Sequence, residues 1–357
     1  MKGLLICVVS AVAVGLSLAS AQTPGERPFK IIKVDPALDA VVSPKAKLEV
    51  LGEHFGLTEG PLWGQEGKNG YLLFSDRIAN VIYKWTPNGP LSVFLENSGY
   101  TGNDVLNAAI QTRRGREHVV MIGSNGLTFD QQGRLVITAT ADRNIVRLEK
   151  NGTRTILADR YDGKRFNGPN DVIVKSNGAL YFTDSLSGLR GGATSPAREL
   201  PFNGFYLVKD GKVTYLGGDK DPQGGPPNGI TFSPDEKYLY VTAGRKILRY
   251  EVQPDDAVIN PVEFADVMGN DGMKVDRKGN LYSASGAGPG EVRITSPDGH
   301  RLGVLQLPIL LAEPRPQVCA TNVAFGDADG KGLYITACTH LYRVRVNVPG
   351  ISPGPVQ

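Results

Sequence analysis

Apolar and polar residues alternate in short stretches along most of the chain. One stretch, PNDVIVKSNGALYFTD, starts at Pro169 and holds two alternating runs separated by Ser176, Asn177 and Gly178. A period of two residues fits a strand with one buried face, and Asn and Gly tolerate the positive φ angles of tight turns. The stretch therefore predicts a β-hairpin.

The hairpin pattern occurs six times. From Glu59 to Asn322 there are 263 positions over five intervals, so the mean repeat is about 53 residues. Repeats of this length that contain several short strands, without an apolar stripe at helical spacing, are typical of propeller blades. The copies begin with TEGPLW at Thr58, SNGLTF at Ser124, PNDVIV at Pro169, PNGITF at Pro227, NDGMKV at Asn270 and TNVAFG at Thr321.

Further strands complete each blade. Alternating runs at residues 80–95, 144–158 and 246–252 follow three of the hairpins and predict four-stranded antiparallel blades. The run AKLEVLG, at 46–52, is predicted to pair with the last blade and so close the ring. The sequence thus predicts an all-β fold, a six-bladed β-propeller over residues 46–348, with an N-terminal extension at 22–45 and a C-terminal tail at 349–357.

Residues 1–21 have the features of a secretory signal peptide. Lys2 is followed by an apolar run from Leu4 to Leu18, and Ala19-Ser20-Ala21 matches an A-x-A cleavage site. We expect this segment to be removed and the mature protein to be secreted or periplasmic. The apolar run is too short to predict a membrane span.

The net charge of the chain bears on which classes of binding partner are expected. Removing Lys2 changes the 39 basic and 36 acidic residues to 38 and 36, a net charge of +2. A nearly neutral chain gives no indication of a nucleic acid partner, and it is compatible with a small-molecule substrate as the partner. The sequence indicates no particular oligomeric state.

Two cysteines remain after cleavage, and both flank the last hairpin. Pairing Phe325 with Gly332 across the turn would place Cys319 opposite Cys338. A disulfide fits an oxidising compartment, whereas two buried thiols are the alternative because cross-strand geometry often suits the bond poorly.

The residue that precedes the inner strand is an oxygen donor in every copy. Inner strands of a propeller start near the central axis, so side chains at one repeat position converge there. Such a set of carboxylates and amides without His or Cys favours Ca²⁺, although another divalent cation such as Zn²⁺, Mg²⁺ or Mn²⁺ is an alternative. The competing interpretation is a set of turn residues. The six positions are Glu59, Asn125, Asn170, Asn228, Asp271 and Asn322.

Several of these phrases resemble a known family. TEGPLW, GPNDV, PNGITFSPDEKYLYVT and DGMKVD are similar to motifs of the senescence marker protein, regucalcin and gluconolactonase family, and the likeness runs from about Leu51 to Val346. The resemblance implies a propeller whose axial channel holds one divalent cation. The implied metal ligands are Glu59, Asn170, Asn228 and Asp271, and the implied substrate-binding residues are Asn125, Asn322 and Arg165.

The resemblance also implies an activity. The expected protein is an exported Ca²⁺-dependent hydrolase that opens a lactone such as a sugar-acid lactone, with the cation polarising the carbonyl. Asp271 is the candidate catalytic base, and a metal-bound water is a competing source of the nucleophile. Two other interpretations remain. One is a phosphotriesterase-like hydrolase on the same metal, and the other is a non-catalytic binding propeller with a structural ion.

Overall fold

A computed structural model describes residues 27–66, 69–114, 117–266, 271–288, 290–308 and 319–351. The expected signal peptide, and Asn270 at the start of the fifth copy, lie outside the described residues. Six antiparallel sheets of four or five strands follow one another along the chain, as the sequence predicts for a six-bladed propeller. We number them blades 1 to 6 in the order of their inner strands.

Each blade runs from an inner strand at the axis to an outer strand at the rim. Blades 1, 2 and 3 comprise Thr58–Glu66, Asn69–Asp76, Val81–Trp85 and Ser92–Glu96; then Leu127–Phe129, Leu135–Ala139, Asn144–Leu148 and Arg154–Ala158; then Pro169–Val174, Leu180–Asp184, Gly204–Lys209 and Lys212–Gly218. Blades 4, 5 and 6 comprise Pro227–Phe232, Tyr238–Ala243, Lys246–Val252 and Val258–Asp266; then Met273–Val275, Leu281–Ala284, Glu291–Thr295 and Arg301–Gln306; then Asn322–Gly326, Gly332–Ala337, His340–Arg345 and Leu48–Gly52.

Smaller elements lie between the blades. Three short strand pairs join Gln111–Arg114 to Glu117–Val120, Arg160–Tyr161 to Lys164–Arg165, and Gly286–Ala287 to Cys319–Ala320. The 3₁₀ helices of the described ranges are Pro36–Ala40, Leu186–Gly188 and Gly192–Thr194. In the same ranges, the helices are too short and too polar to span a bilayer.

The chain closes its ring with a strand from near its N-terminus. Leu48 lies opposite Val344 and Val50 opposite Tyr342, so Leu48–Gly52 is the outer strand of blade 6. This confirms the predicted closure within 46–52. Because the two ends of the propeller are joined in one sheet, the ring does not depend on contacts between loops.

The segment ahead of the closing strand also packs on the propeller. Lys30–Lys33 pairs with Arg301–Gln306 and adds a fifth strand to blade 5. The 3₁₀ helix that follows is capped by Asp35, whose carboxylate accepts from Ala37 N at 2.8 Å. Leu38 of this helix is buried in the cluster formed by blades 5 and 6. The described part of the expected N-terminal extension is therefore attached to two blades.

The hydrophobic core lies in the seams between neighbouring blades. In the seam between blades 1 and 2, for example, Leu73 and Ile82 of one sheet pack with Leu127 and Ile137 of the next. Burying each such side chain contributes roughly 1.5–3 kcal/mol. The inner strands are thus held by packing on both faces, which fixes the residues at their ends.

A disulfide joins Cys319 to Cys338, with the two Cα atoms 5.7 Å apart. The predicted register of the last hairpin is wrong by one residue, because Phe325 lies opposite Leu333 rather than Gly332. Cys338 instead lies in the turn after the second strand, with φ at +51°. This turn brings its side chain back to Cys319, so the bond forms without direct cross-strand pairing.

Candidate active site

The six oxygen-donor residues predicted at the axis all lie at the start of an inner strand, and we call them the axial ring. Four of them are buried: Glu59, Asn125, Asn170 and Asn322 are between 1% and 5% exposed. The other two, Asn228 and Asp271, are partly buried.

Neighbouring members of the ring are held together by backbone contacts between blades. Gly60 approaches the carbonyl of Asn125 so closely that a Cβ atom on this glycine would lie 2.0 Å from Asn125 O. At the equivalent position, a Cβ on Gly229 would lie 2.3 Å from Asp271 O. The glycine after a ring residue therefore allows two inner strands to meet at the axis.

Buried hydroxyl groups fix three of the ring carbonyls. Ser75 donates to Asn125 O at 2.9 Å, and Thr138 donates to Asn170 O at 2.9 Å. Thr183 donates to Asn228 O at 2.5 Å. Each hydroxyl lies on the second strand of one blade and binds the ring residue of the next, so it sets the spacing between blades.

Sequence reasoning missed these hydroxyl groups, although a signal was present. The second strand of every hairpin copy carries a buried Ser or Thr as its next-to-last residue. These residues are Ser75, Thr138, Thr183, Thr242, Ser283 and Thr336.

Two buried aspartates hold the loops that lead into the ring. Asp184 accepts from Asn167 N at 2.9 Å and from Gly168 N at 2.6 Å, just ahead of Asn170. Burial raises the pKa of Asp184 to about 7, an effect that these two backbone donors oppose. Asp76 accepts from Gly56 N at 2.7 Å in the loop before Glu59. Both aspartates act on the site through the backbone.

The two acidic residues of the ring, Glu59 and Asp271, both have raised pKa values. Burial raises the pKa of Glu59 to about 7, with Arg77 opposing the rise and Asp171 adding to it. Loss of solvent, and then the charge of Glu59, raise the pKa of Asp271 well above its ordinary value. A divalent cation bound between these two carboxylates would lower both pKa values.

The ring amides support these carboxylates. The side chain of Asn322 lowers the pKa of Glu59, and the side chain of Asn228 lowers that of Asp271, so each amide opposes the effect of burial on its neighbour. The Oδ1 atom of Asn228 is buried without a hydrogen-bond donor. An acceptor oxygen left in this state beside a carboxylate fits a cation, so the donor set suits a hard metal ion. Over the described ranges His, Cys, Asp and Glu side chains form no group of three that could hold a metal, which leaves part of any coordination to the amides.

A second charged pair lies beside the ring. Asp171 directly follows the ring residue Asn170 and is 2% exposed. Its Oδ2 atom is 3.9 Å from Nζ of Lys274, and its Oδ1 atom accepts from Val172 N at 2.9 Å. Asp171 therefore links the inner strands of blades 3 and 5 through an ion pair.

Arg165, the arginine predicted to bind the substrate, hydrogen-bonds to residues outside the axial ring. Its Nη2 atom donates to Asp142 O at 2.9 Å, and its backbone N donates to a carboxylate oxygen of Glu199. The guanidinium that interacts with the charges of Glu59 and Asp271 is that of Arg77. No other copy has an arginine at this position, two residues after the Ser or Thr of the second strand, so repeat alignment could not have singled it out.

A cavity of about 650 Å³ lies at the other end of the inner strands. None of the six ring residues lines it. Its walls come from all six blades and include Leu62, Leu127, Val172, Phe232, Lys274 and Phe325. The ring and this cavity are therefore separate features of one channel.

The fold and the axial ring place this chain in a class of proteins: six-bladed propellers whose axial site is lined by carboxylate and amide oxygens. The chain belongs to the SMP-30/Gluconolactonase/LRE-like family, whose model matches residues 57–339. This span includes every residue of the axial ring.

Individual relatives agree with this assignment. The chain is 33% identical over 337 residues to a gluconolactonase of Zymomonas mobilis, covering 90% of this chain and 87% of the relative. The solved structure of a gluconolactonase from Xanthomonas campestris is 28% identical, with a TM-score of 0.69 and coverage of 90% of this chain and 98% of that one. A calcium-binding regucalcin from Agrobacterium tumefaciens shares the fold at 19% identity, with a TM-score of 0.63 and coverage of 86% and 96%.

Proposed function

We propose that this protein is a Ca²⁺-dependent hydrolase that opens a sugar-acid lactone. The observation that carries the proposal is the donor set of the ring, in which the carboxylates of Glu59 and Asp271 accompany amides and the Oδ1 atom of Asn228 is buried without a hydrogen-bond donor. Membership of a family that includes a gluconolactonase at 33% identity supports a lactone as the substrate.

Four ring residues are the proposed cation ligands: Glu59, Asn170, Asn228 and Asp271. Their oxygen chemistry suits Ca²⁺, and the regucalcin with the same fold is a calcium-binding protein. When bound, the cation would supply a Lewis acid for the lactone carbonyl. Asn322 lowers the pKa of Glu59 and so favours the ionised form that would bind the cation.

Asp271 is the proposed acceptor of the proton from the attacking water. Its carboxylate belongs to the axial ring, and the side chain of Asn228 lowers its pKa and so favours the ionised form that a base requires. Hydrolysis breaks the acyl–oxygen bond of the ring, and the ring oxygen leaves as a hydroxyl group once it has gained a proton. Asp271 can return the proton that it took from water, so one carboxyl group serves both steps.

Metal analysis and a substrate panel test this function together. The purified protein should contain about one divalent cation per chain and open sugar lactones with saturable kinetics. A chelator should abolish turnover, and added Ca²⁺ should restore it. Faster hydrolysis of organophosphates than of lactones would support the phosphotriesterase alternative. Retained metal with no turnover of either class would support a non-catalytic propeller.

We also propose that the protein is exported. A disulfide between Cys319 and Cys338 fits an oxidising compartment, and residues 1–21 match a signal peptide. Cell fractionation should find the mature chain, starting near Gln22, outside the cytoplasm. Recovery of the full-length chain from the cytoplasm with free thiols would contradict the proposal.

A further inference from the structure

Arg77 is a buried cation with unsatisfied hydrogen-bond donors. Its residue is 7% exposed, and its Nε and Nη2 atoms are buried without a hydrogen-bond partner. The backbone around it is firmly held, because Arg77 N donates to Leu57 O at 2.9 Å and Arg77 O accepts from Gly123 N at 2.7 Å. Buried N–H donors without hydrogen-bond acceptors are destabilising, so this edge of the guanidinium suggests a ligand that supplies the acceptors.

The two unsatisfied nitrogens define the shape of that ligand. Nε and the Nη2 group lie on one edge of the guanidinium and point their hydrogens in parallel. This edge is the fork that binds the two oxygens of a carboxylate. A lysine ammonium would not offer the same geometry.

The guanidinium belongs to the same site as the axial ring. The charges of Glu59 and Asp271 both act on it. Gly123, which contacts the backbone of Arg77, lies two residues before Asn125. Both polar atoms of the Asn125 side chain are also buried without partners. The neighbouring blades 1 and 2 therefore present a guanidinium edge and an amide whose polar atoms have no hydrogen-bond partner.

The charges of the site favour an anion at this place. The carboxylates of Glu59 and Asp271 would balance one divalent cation, and Asp171 is paired with Lys274 at 3.9 Å. In this count the positive charge of Arg77 has no remaining negative partner. A buried charge without a partner destabilises the folded protein. A bound group with a single negative charge would neutralise it.

We propose that Arg77 is a specificity-determining residue that binds a carboxylate on the substrate, so that the preferred substrate is a lactone bearing a second, ionised carboxyl group. The inference rests on the proposed lactonase function and narrows its substrate class. Asn125 would contact the same end of the substrate through its amide.

A matched pair of lactones tests this inference. Glucaro-1,4-lactone and glucono-1,4-lactone have the same ring. The first carries a carboxylate at the end of its side chain, where the second carries a hydroxymethyl group. Wild-type protein should open the carboxylated lactone with the higher kcat/KM. Arg77→Met should lower kcat/KM for that lactone by about 10- to 100-fold, the loss expected for a charged hydrogen bond, and change the neutral lactone little. Arg160→Met, which removes an exposed guanidinium paired with Asp159, should leave the ratio unchanged.

A binding measurement on the wild-type protein covers the case in which Arg77→Met does not fold. Calorimetry should show tighter binding of glucarate than of gluconate. Equal binding of the two acids, or an equal rate on both lactones in wild type, would overturn the role of Arg77 while leaving lactone hydrolysis intact. Hydrolysis of neither lactone would instead contradict the proposed function, and tighter glucarate binding would then still support the anion site.

Discussion

Replacing Asp271 by Asn should lower kcat/KM for lactone hydrolysis by about 10²- to 10⁴-fold, the range expected for loss of a general base. The change keeps the size of the side chain, but it replaces one acceptor oxygen by an N–H donor group and removes one of the two axial charges. Steady-state kinetics on a lactone substrate, at saturating Ca²⁺, measures the effect. Because the amide cannot accept a proton from water, excess cation should not restore the rate.

A matched control separates this effect from a general change in charge. Asp298→Asn alters an exposed aspartate in the outer hairpin of the same blade and should retain wild-type activity. Metal content should be measured for both variants. Full activity in Asp271→Asn would rule this residue out as the base, whether or not the cation is retained.

Replacing Gly60 by Ala should destabilise the protein by at least about 3 kcal/mol, measured by denaturant unfolding. Two effects combine at this position. The backbone φ of Gly60 is +51°, and the new Cβ would lie 2.0 Å from the carbonyl oxygen of Asn125. Because a backbone carbonyl cannot rotate away, the inner strands of blades 1 and 2 must separate. Lactone turnover should also fall, since Glu59 is the preceding residue.

Gly133 offers the control for the backbone strain alone. Its φ is +71°, yet an added Cβ would have no atom within 4 Å. Gly133→Ala should therefore cost about 1 kcal/mol, from the left-handed conformation only, and leave turnover unchanged. If the two variants lost the same stability, the close approach at Gly60 would not be a structural constraint.

The repeating features of the fold were predictable from the sequence. The hairpin pattern occurs six times, so the prediction of a blade did not depend on the interpretation of any one copy. The closing strand could be predicted because the last blade needs a fourth strand. The axial position of Glu59 and Asp271 followed from the same alignment. Each copy of the hairpin pattern forms one blade, and each blade buries its apolar residues against its neighbours in the same way. This shared packing is the physical reason that the sequence repeat predicts the structural repeat.

Features that occur once were not predictable in the same way. No other copy has an arginine in place of Arg77, and its proposed role depends on its closeness to the charges of Glu59 and Asp271, which the sequence does not show. The register of the last hairpin depended on turn geometry, which alternation alone does not fix. Strand Lys30–Lys33 is short and lies far along the chain from its partner, Arg301–Gln306. Such long-range pairing leaves no local signal.

The central claim is that separate blades bring their oxygen-bearing side chains to one axial point that binds a divalent cation. A crystal structure of the protein grown with Ca²⁺, with anomalous scattering recorded, tests it most directly. We expect one strong peak on the axis, with oxygens of Glu59, Asn170, Asn228 and Asp271 at about 2.3–2.6 Å. Saturating Ca²⁺ with no axial peak, or a peak held by other residues, would contradict the account.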